Sequence, residues 1–330
     1  MFINNFIYFY IAICMILILF ELVWSVYIKK YNTKMEQDKI KYKDTINSIV
    51  DYKSNIDINA LSKELKNVNN LISFQNAFEE IQSENIRRDF MHEILPVFIY
   101  LNIYYANRKN EMEKAFFAYV VGEDLVINNA NNANLLIETM YSFIYSKSIY
   151  CRANAIGAIF SIGKVNNVIK AIEIINTSQL EYNQNLLTHN LKKFSGNKKI
   201  LAIELNKKFD TYSENIQIAI IRFLTQYNYI EENELINRLK DSYLSVNVKC
   251  EIMRFFQANK SEEAKKFLMS ILENEEVIAN DFTIKAIGTL GYYDDEEVIS
   301  LLNKMKNSKD EMLLEAAHRS MEKMKSLNPA

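Results

Sequence analysis

Proline and glycine are nearly absent, with two prolines and six glycines in 330 residues, against usual shares of roughly 5% and 7%. These residues punctuate strands, hairpins and long loops, so their scarcity excludes a turn-rich β architecture and leaves long helices joined by short turns. Cysteine is also scarce. Cys14, Cys151 and Cys250 form no CxxC pair and no even-numbered framework, which excludes a disulfide scaffold and suits reduced thiols in a cytosolic setting. His92, His189 and His318 lie far apart without an HExxH or Cys/His cluster, so no metal site is expected. Neither phosphate-cradling glycine loops nor a nucleophile elbow occur, and no cofactor or catalytic residue is expected. An excess of positive charge is missing as well. The formal net charge of -2 removes the general attraction on which nucleic-acid binding depends.

What is present begins with an apolar N-terminal segment. Phe6 to Ile28 reaches ~34 Å as a helix, enough to cross a hydrocarbon core of ~30 Å. Its fourteen Leu, Ile, Phe and Val residues, at about -0.3 to -0.6 kcal/mol each, outweigh the roughly +3 kcal/mol of Glu21. Residues 1–29 are therefore expected to be a transmembrane anchor that touches lipid through residues 6–28. No Lys or Arg precedes it, whereas Lys29, Lys30, Lys34, Lys39, Lys41 and Lys43 come after it, which predicts a single pass through the plasma membrane with the N-terminus outside. The basic start, short apolar core and small-residue cleavage site of a signal peptide are missing. Glu21 has two readings: it snorkels to the headgroups, or it pairs with a partner helix inside the membrane. Trp24 and Tyr27 read as interfacial aromatics.

Beyond the anchor, residues 30–58 read as a helical spacer, with Met35, Tyr42, Ile46, Ile49 and Val50 on one face. Residues 59–147 read as atypical N-terminal helices that cap a repeat array, with Pro96 kinking or starting one helix and the Asn-rich Leu125–Ala133 forming a loop. From 148 to 326 the chain repeats. Segments 154–163, 187–196, 218–227, 250–259 and 282–291 align, their ends separated by 33, 31, 32 and 32 residues, and a weaker copy lies at 315–324. Gly163, Gly196 and Gly291 end three of these segments, which predicts left-handed helix stops. A second amphipathic helix comes after each stop, as with Val168, Ile172 and Ile175, or Val298, Leu301, Leu302 and Met305. Neither helix of such a pair can cover its own apolar stripe, so the pairs are expected to stack as an all-α solenoid of HEAT-like repeats.

Acidic clusters at Glu231-Glu232, Glu262-Glu263 and Asp294 to Glu297 recur at the repeat period, which suits helix N-termini rather than catalysis. Arg222 and Arg254 stand one repeat apart, on the side away from Ile220, Phe223, Ile252 and Phe255. They are either a basic ladder on a partner-binding face or simply solvated.

Tyr150 to Ala155, Asn185 to Thr188 leading to Phe194-Ser195-Gly196, and Ile216 to Leu224 resemble bacterial membrane-anchored HEAT-repeat proteins. The genes of such proteins often accompany a membrane glycosyltransferase, so the resemblance implies a supporting role in surface-polysaccharide synthesis. The expected function is thus a non-enzymatic scaffold with a protein partner. A HEAT-like lyase, or an adaptor in signalling or envelope assembly, are the alternatives.

Overall fold

The computed structural model describes residues 2–52, 57–124, 133–162, 164–178, 180, 182–273 and 278–327. Among them the regular elements are seventeen α-helices and a single 3-10 turn, without a strand. Contacts within the chain divide it into two compact units, one ending at Ile162 and the other starting at Gly163. The first expected repeat copy therefore groups with the N-terminal helices.

The first unit holds α1 (Phe2–Tyr52), α2 (Ile58–Leu65), α3 (Val68–Glu79), α4 (Glu84–Ala106), α5 (Glu111–Asp124), α6 (Ala133–Phe143) and α7 (Ile149–Ile162). Helix α1 is unbroken, and it is the one helix among the described residues long and apolar enough to cross a membrane. Its most apolar window has a mean hydropathy of 2.5 and is not buried against the rest of the chain. From Tyr31 onward it packs. The Tyr31 hydroxyl donates to Asn69 Oδ1 at 3.0 Å, the Ser73 hydroxyl donates to the Met35 carbonyl at 3.2 Å, and Lys39 meets Glu80 at 2.8 Å.

The stretch after Ile28 is helical, as expected, through Tyr52, and it packs on the rest of the first unit. Tyr42 and Ile46 are buried, because an apolar stripe on a helix too polar to enter lipid must find cover elsewhere, and Tyr42 finds it on Phe74 of α3. The ascending order of the contacts makes α3 parallel to α1. Tyr119 bonds Glu79, and Asn154 bonds the Ala115 carbonyl, which continues the parallel series through α5 to α7. Helix α4 runs the other way, pairing Phe90 with Phe78, Phe98 with Phe74 and Tyr105 with the Leu65 carbonyl. Pro96 lies inside α4 without ending it. The Asn-rich residues 125–132 lie outside the described residues.

The second unit holds α8 (Val165–Thr177), α9 (Gln184–Lys193), α10 (Lys198–Lys207), α11 (Glu214–Gln226), α12 (Glu232–Lys240), α13 (Val246–Ala258), α14 (Glu262–Leu272), α15 (Asp281–Leu290), α16 (Glu296–Met305) and α17 (Glu311–Leu327). The odd-numbered helices from α9 to α17 each pack on the next, while α8 touches α10 and α14 touches α16. Val168, Ile172 and Ile175 on α8, and Val298, Leu301, Leu302 and Met305 on α16, form the buried stripes that the periodicity predicts.

The glycine stops are corrected. No described glycine has positive φ, and Gly291 ends α15 at φ -61°. Close approach explains two of these glycines instead: a Cβ at Gly291 would lie 2.9 Å from Ser320 Cβ, and one at Gly196 would collide with the Phe194 ring. Gly163 is outside the described residues. The left-handed position belongs to Asn228, with φ 52°. There the Tyr229 N–H reaches the Leu224 carbonyl at 2.9 Å and the Asn228 N–H reaches the Thr225 carbonyl at 3.3 Å, closing the end of α11 in a Schellman motif.

The acidic clusters do occupy helix starts, but Glu231 and Asp295 make no capping bond with their side chains, and Ser261 caps α14. The carboxylates reach neighbouring helices. The Ser261 hydroxyl donates to Glu232, and Lys265 meets Asp295 at 3.1 Å.

Candidate partner-binding face

The two arginines lie on consecutive odd-numbered helices, Arg222 on α11 and Arg254 on α13. They do not form a bare basic ladder. Glu251, which sequence reasoning missed, stands between them and binds Arg222 Nη2 and Arg254 Nη1, each at 2.8 Å. Arg222 Nη1 also donates to Asn185 Oδ1 on α9 at 2.6 Å. The physical reason is local. Glu251 lies three residues before Arg254 on one helical face, and the packing of α11 on α13 brings Arg222 to the same carboxylate. Glu251 is 10% exposed and Arg222 20%, whereas Arg254 is 58% exposed and remains open to a partner. Of the apolar residues placed opposite, Ile220, Phe223 and Ile252 are buried, but the fully covered aromatic on α13 is Phe256 rather than Phe255.

A cleft of ≈620 Å³ runs across α13, α15 and α17 beside this network. Its floor includes Gly288, where an added Cβ would meet nothing within 4 Å. Ile284, Met312 and Ala316 supply apolar surface, and Met312 is exposed. Lys285, Arg319 and Lys323 bring positive charge, and Asp281 and Glu315 bring negative charge. Burial, reinforced by the Arg254 charge, pushes the Lys285 ammonium below its usual range. Lys323 is held over the Tyr292 ring, 3.8 Å from its centre. Extending the repeat phase beyond Arg254 leads to the Lys285 neighbourhood, and a glycine inside a helix marks an unfilled place. Those two signals could have located the cleft.

Chemically reactive groups are subdued here. Burial raises the Cys250 thiol, which lies 3.8 Å from the Asp281 carbonyl, and the Ser320 hydroxyl donates to the Ile287 carbonyl at 3.0 Å. Cys151, in the first unit, is buried and likewise raised. The three histidines sit exposed on α4, α9 and α17, and among the described residues no cluster of metal-ligating side chains forms. Glu21 is exposed on α1, one residue beyond Phe20 in the aromatic stripe Phe20, Trp24, Tyr27 and Tyr31, whose successive rings are 6.2, 5.7 and 6.5 Å apart. No protein-family model and no curated protein matches the chain.

Proposed function

We propose that the chain is a non-enzymatic scaffold, held at the cytoplasmic face of the plasma membrane by α1, whose helix pairs form a HEAT-like α-solenoid that binds a protein partner. The partner implied by the sequence resemblance is a glycosyltransferase of the same membrane, engaged in surface-polysaccharide synthesis. Membrane lipid contacts residues 6–28.

The observation that carries this reading is the cleft across α13, α15 and α17, open at Gly288 and bordered by both signs of charge. Mixed apolar and charged lining suits recognition of a polypeptide. A protonated Cys250 thiol and a committed Ser320 hydroxyl favour holding a partner over bond-making chemistry.

Gly288→Leu is the discriminating variant, since it fills the cleft without meeting a neighbour through its Cβ. Crosslinking in native membranes followed by purification is expected to recover a discrete partner with the parent chain. Recovery should fall about ten-fold with Gly288→Leu, the equivalent of a 1.4 kcal/mol loss, and fall also with Arg254→Glu. Undiminished recovery in both variants would overturn the cleft, and failure to recover any protein would overturn the scaffold.

A further inference from the structure

The register of the first unit has a consequence for the membrane surface. The apolar run of α1 ends at Ile28, and Tyr31, one turn on, already bonds Asn69 near the start of α3. Tyr119 on α5 meets Glu79 on α3, and Asn154 on α7 meets Ala115 on α5. Counting back along these parallel helices places the starts of α3, α5 and α7 within about two turns, ~10 Å, of Ile28 along α1. The turns that lead into them, from α2, α4 and α6, therefore form one edge of the unit on the side where α1 emerges from lipid.

That edge has a distinctive surface. Ile103, Met112, Tyr145, Ile149 and Tyr150 are exposed there, Ile103 at 65% and Tyr150 at 68%. Lys63, Lys109 and Lys147 project into solvent beside them, and Lys66 lies over the rings of Tyr100 and Tyr104 at 4.7 and 5.4 Å. The carboxylates of the edge are engaged within the protein. Glu64 holds Lys41, Glu111 holds Lys114 and Ser146, and Glu113 holds Arg108 at 2.5 Å. The far edge of the same unit, at the α3 to α4 turn, carries Glu79, Glu80 and Glu84, of which Glu80 is held by Lys39 and Lys43 and Glu79 accepts from Tyr119.

We infer that this edge is a second membrane-contact site, with its lysines on anionic headgroups and its exposed aliphatic and tyrosine side chains in the interfacial layer. The inference rests on α1 spanning the membrane. Apolar and aromatic side chains beside cations are what an anionic interface retains. The unit would then lie against the bilayer instead of standing off on a stalk, because α1 enters the helical packing within a turn of leaving lipid.

The full-length protein in vesicles of phosphatidylcholine and phosphatidylglycerol provides the test. A photoreactive benzoylphenylalanine replaces, one at a time, Leu17 in the anchor, Ile103 and Tyr150 on the proposed edge, and Gln82 on the far edge. Lipid adducts are expected at positions 17, 103 and 150 and not at 82. Yield at 103 and 150, but not at 17, should fall at least about two-fold when phosphatidylglycerol is omitted, or in a Lys66→Glu, Lys109→Glu, Lys147→Glu variant. Adducts at 17 with none at 103 and 150 would overturn the edge and leave the anchor standing. Equal adducts at 82 would overturn the proposed orientation, and absence of adducts at 17 would remove the anchor on which the inference rests.

Discussion

Gly288 and Gly291 lie one turn apart at the end of α15, yet their surroundings are opposite. At Gly291 an added methyl would press on Ser320 Cβ at 2.9 Å and on its Cα and carbonyl oxygen at 3.0 Å, atoms that cannot swing aside. At Gly288 it would enter open space. Gly291→Ala is accordingly expected to destabilise the protein by about 1–3 kcal/mol through forced separation of α15 and α17. Gly288→Ala should stabilise it by about 0.5–1 kcal/mol, because alanine loses less backbone freedom in a helix. Denaturant unfolding of the two variants in detergent should show midpoints moving in opposite directions. Equal shifts would mean that glycine acts at both places through the backbone alone. Arg222 is only 20% exposed and held by Glu251 and Asn185, so Arg254, which shares Glu251 but is 58% exposed, is the arginine more accessible from solvent.

At the level of elements, the contact of α1 with α3 is clasped at its far end by Lys39 and Lys43 on Glu80. The lysines hold the Glu80 carboxyl at about 2, below its ordinary value of 4.5. A carboxylate with a depressed folded value stabilises the contact above the unfolded value and loses that contribution as pH falls through the folded one. The clasp should therefore be intact above pH 4.5 and weaken between there and about pH 2. Amide exchange in the C-terminal third of α1 is the measurement, with acceleration on acidification that Glu80→Gln removes from this window. Glu80 and Lys43 are exposed by about two-fifths and only Lys39 is more covered, so added salt should reduce the effect. Helix ends show a related division of labour. Asn183, Asn197, Ser245, Ser261 and Asn280 make the capping bonds, while Glu232 and Asp295 tie successive helices together.

For the whole molecule, the division after Ile162 predicts two cooperative units rather than one. Hydrogen exchange measured by mass spectrometry is expected to sort amides into two classes of subglobal opening that change over near Gly163. A single class with uniform opening across 149–177 would show that the chain unfolds as one body.

Much of this was legible in the chain. Scarce proline and glycine together with stripes such as Val298, Leu301, Leu302 and Met305 gave the helices and their buried faces, because periodicity depends only on neighbours within a turn or two. The long apolar start of α1 was equally local. Tertiary structure decided the remainder. Only packing laid α1 on α3 from Tyr31 onward, drew Glu251 between Arg222 and Arg254, and left Gly288 facing a cleft while Gly291 met Ser320. These outcomes depend on residues about 30 to 40 positions apart, a separation over which helical periodicity states that a face must be covered but cannot state by what.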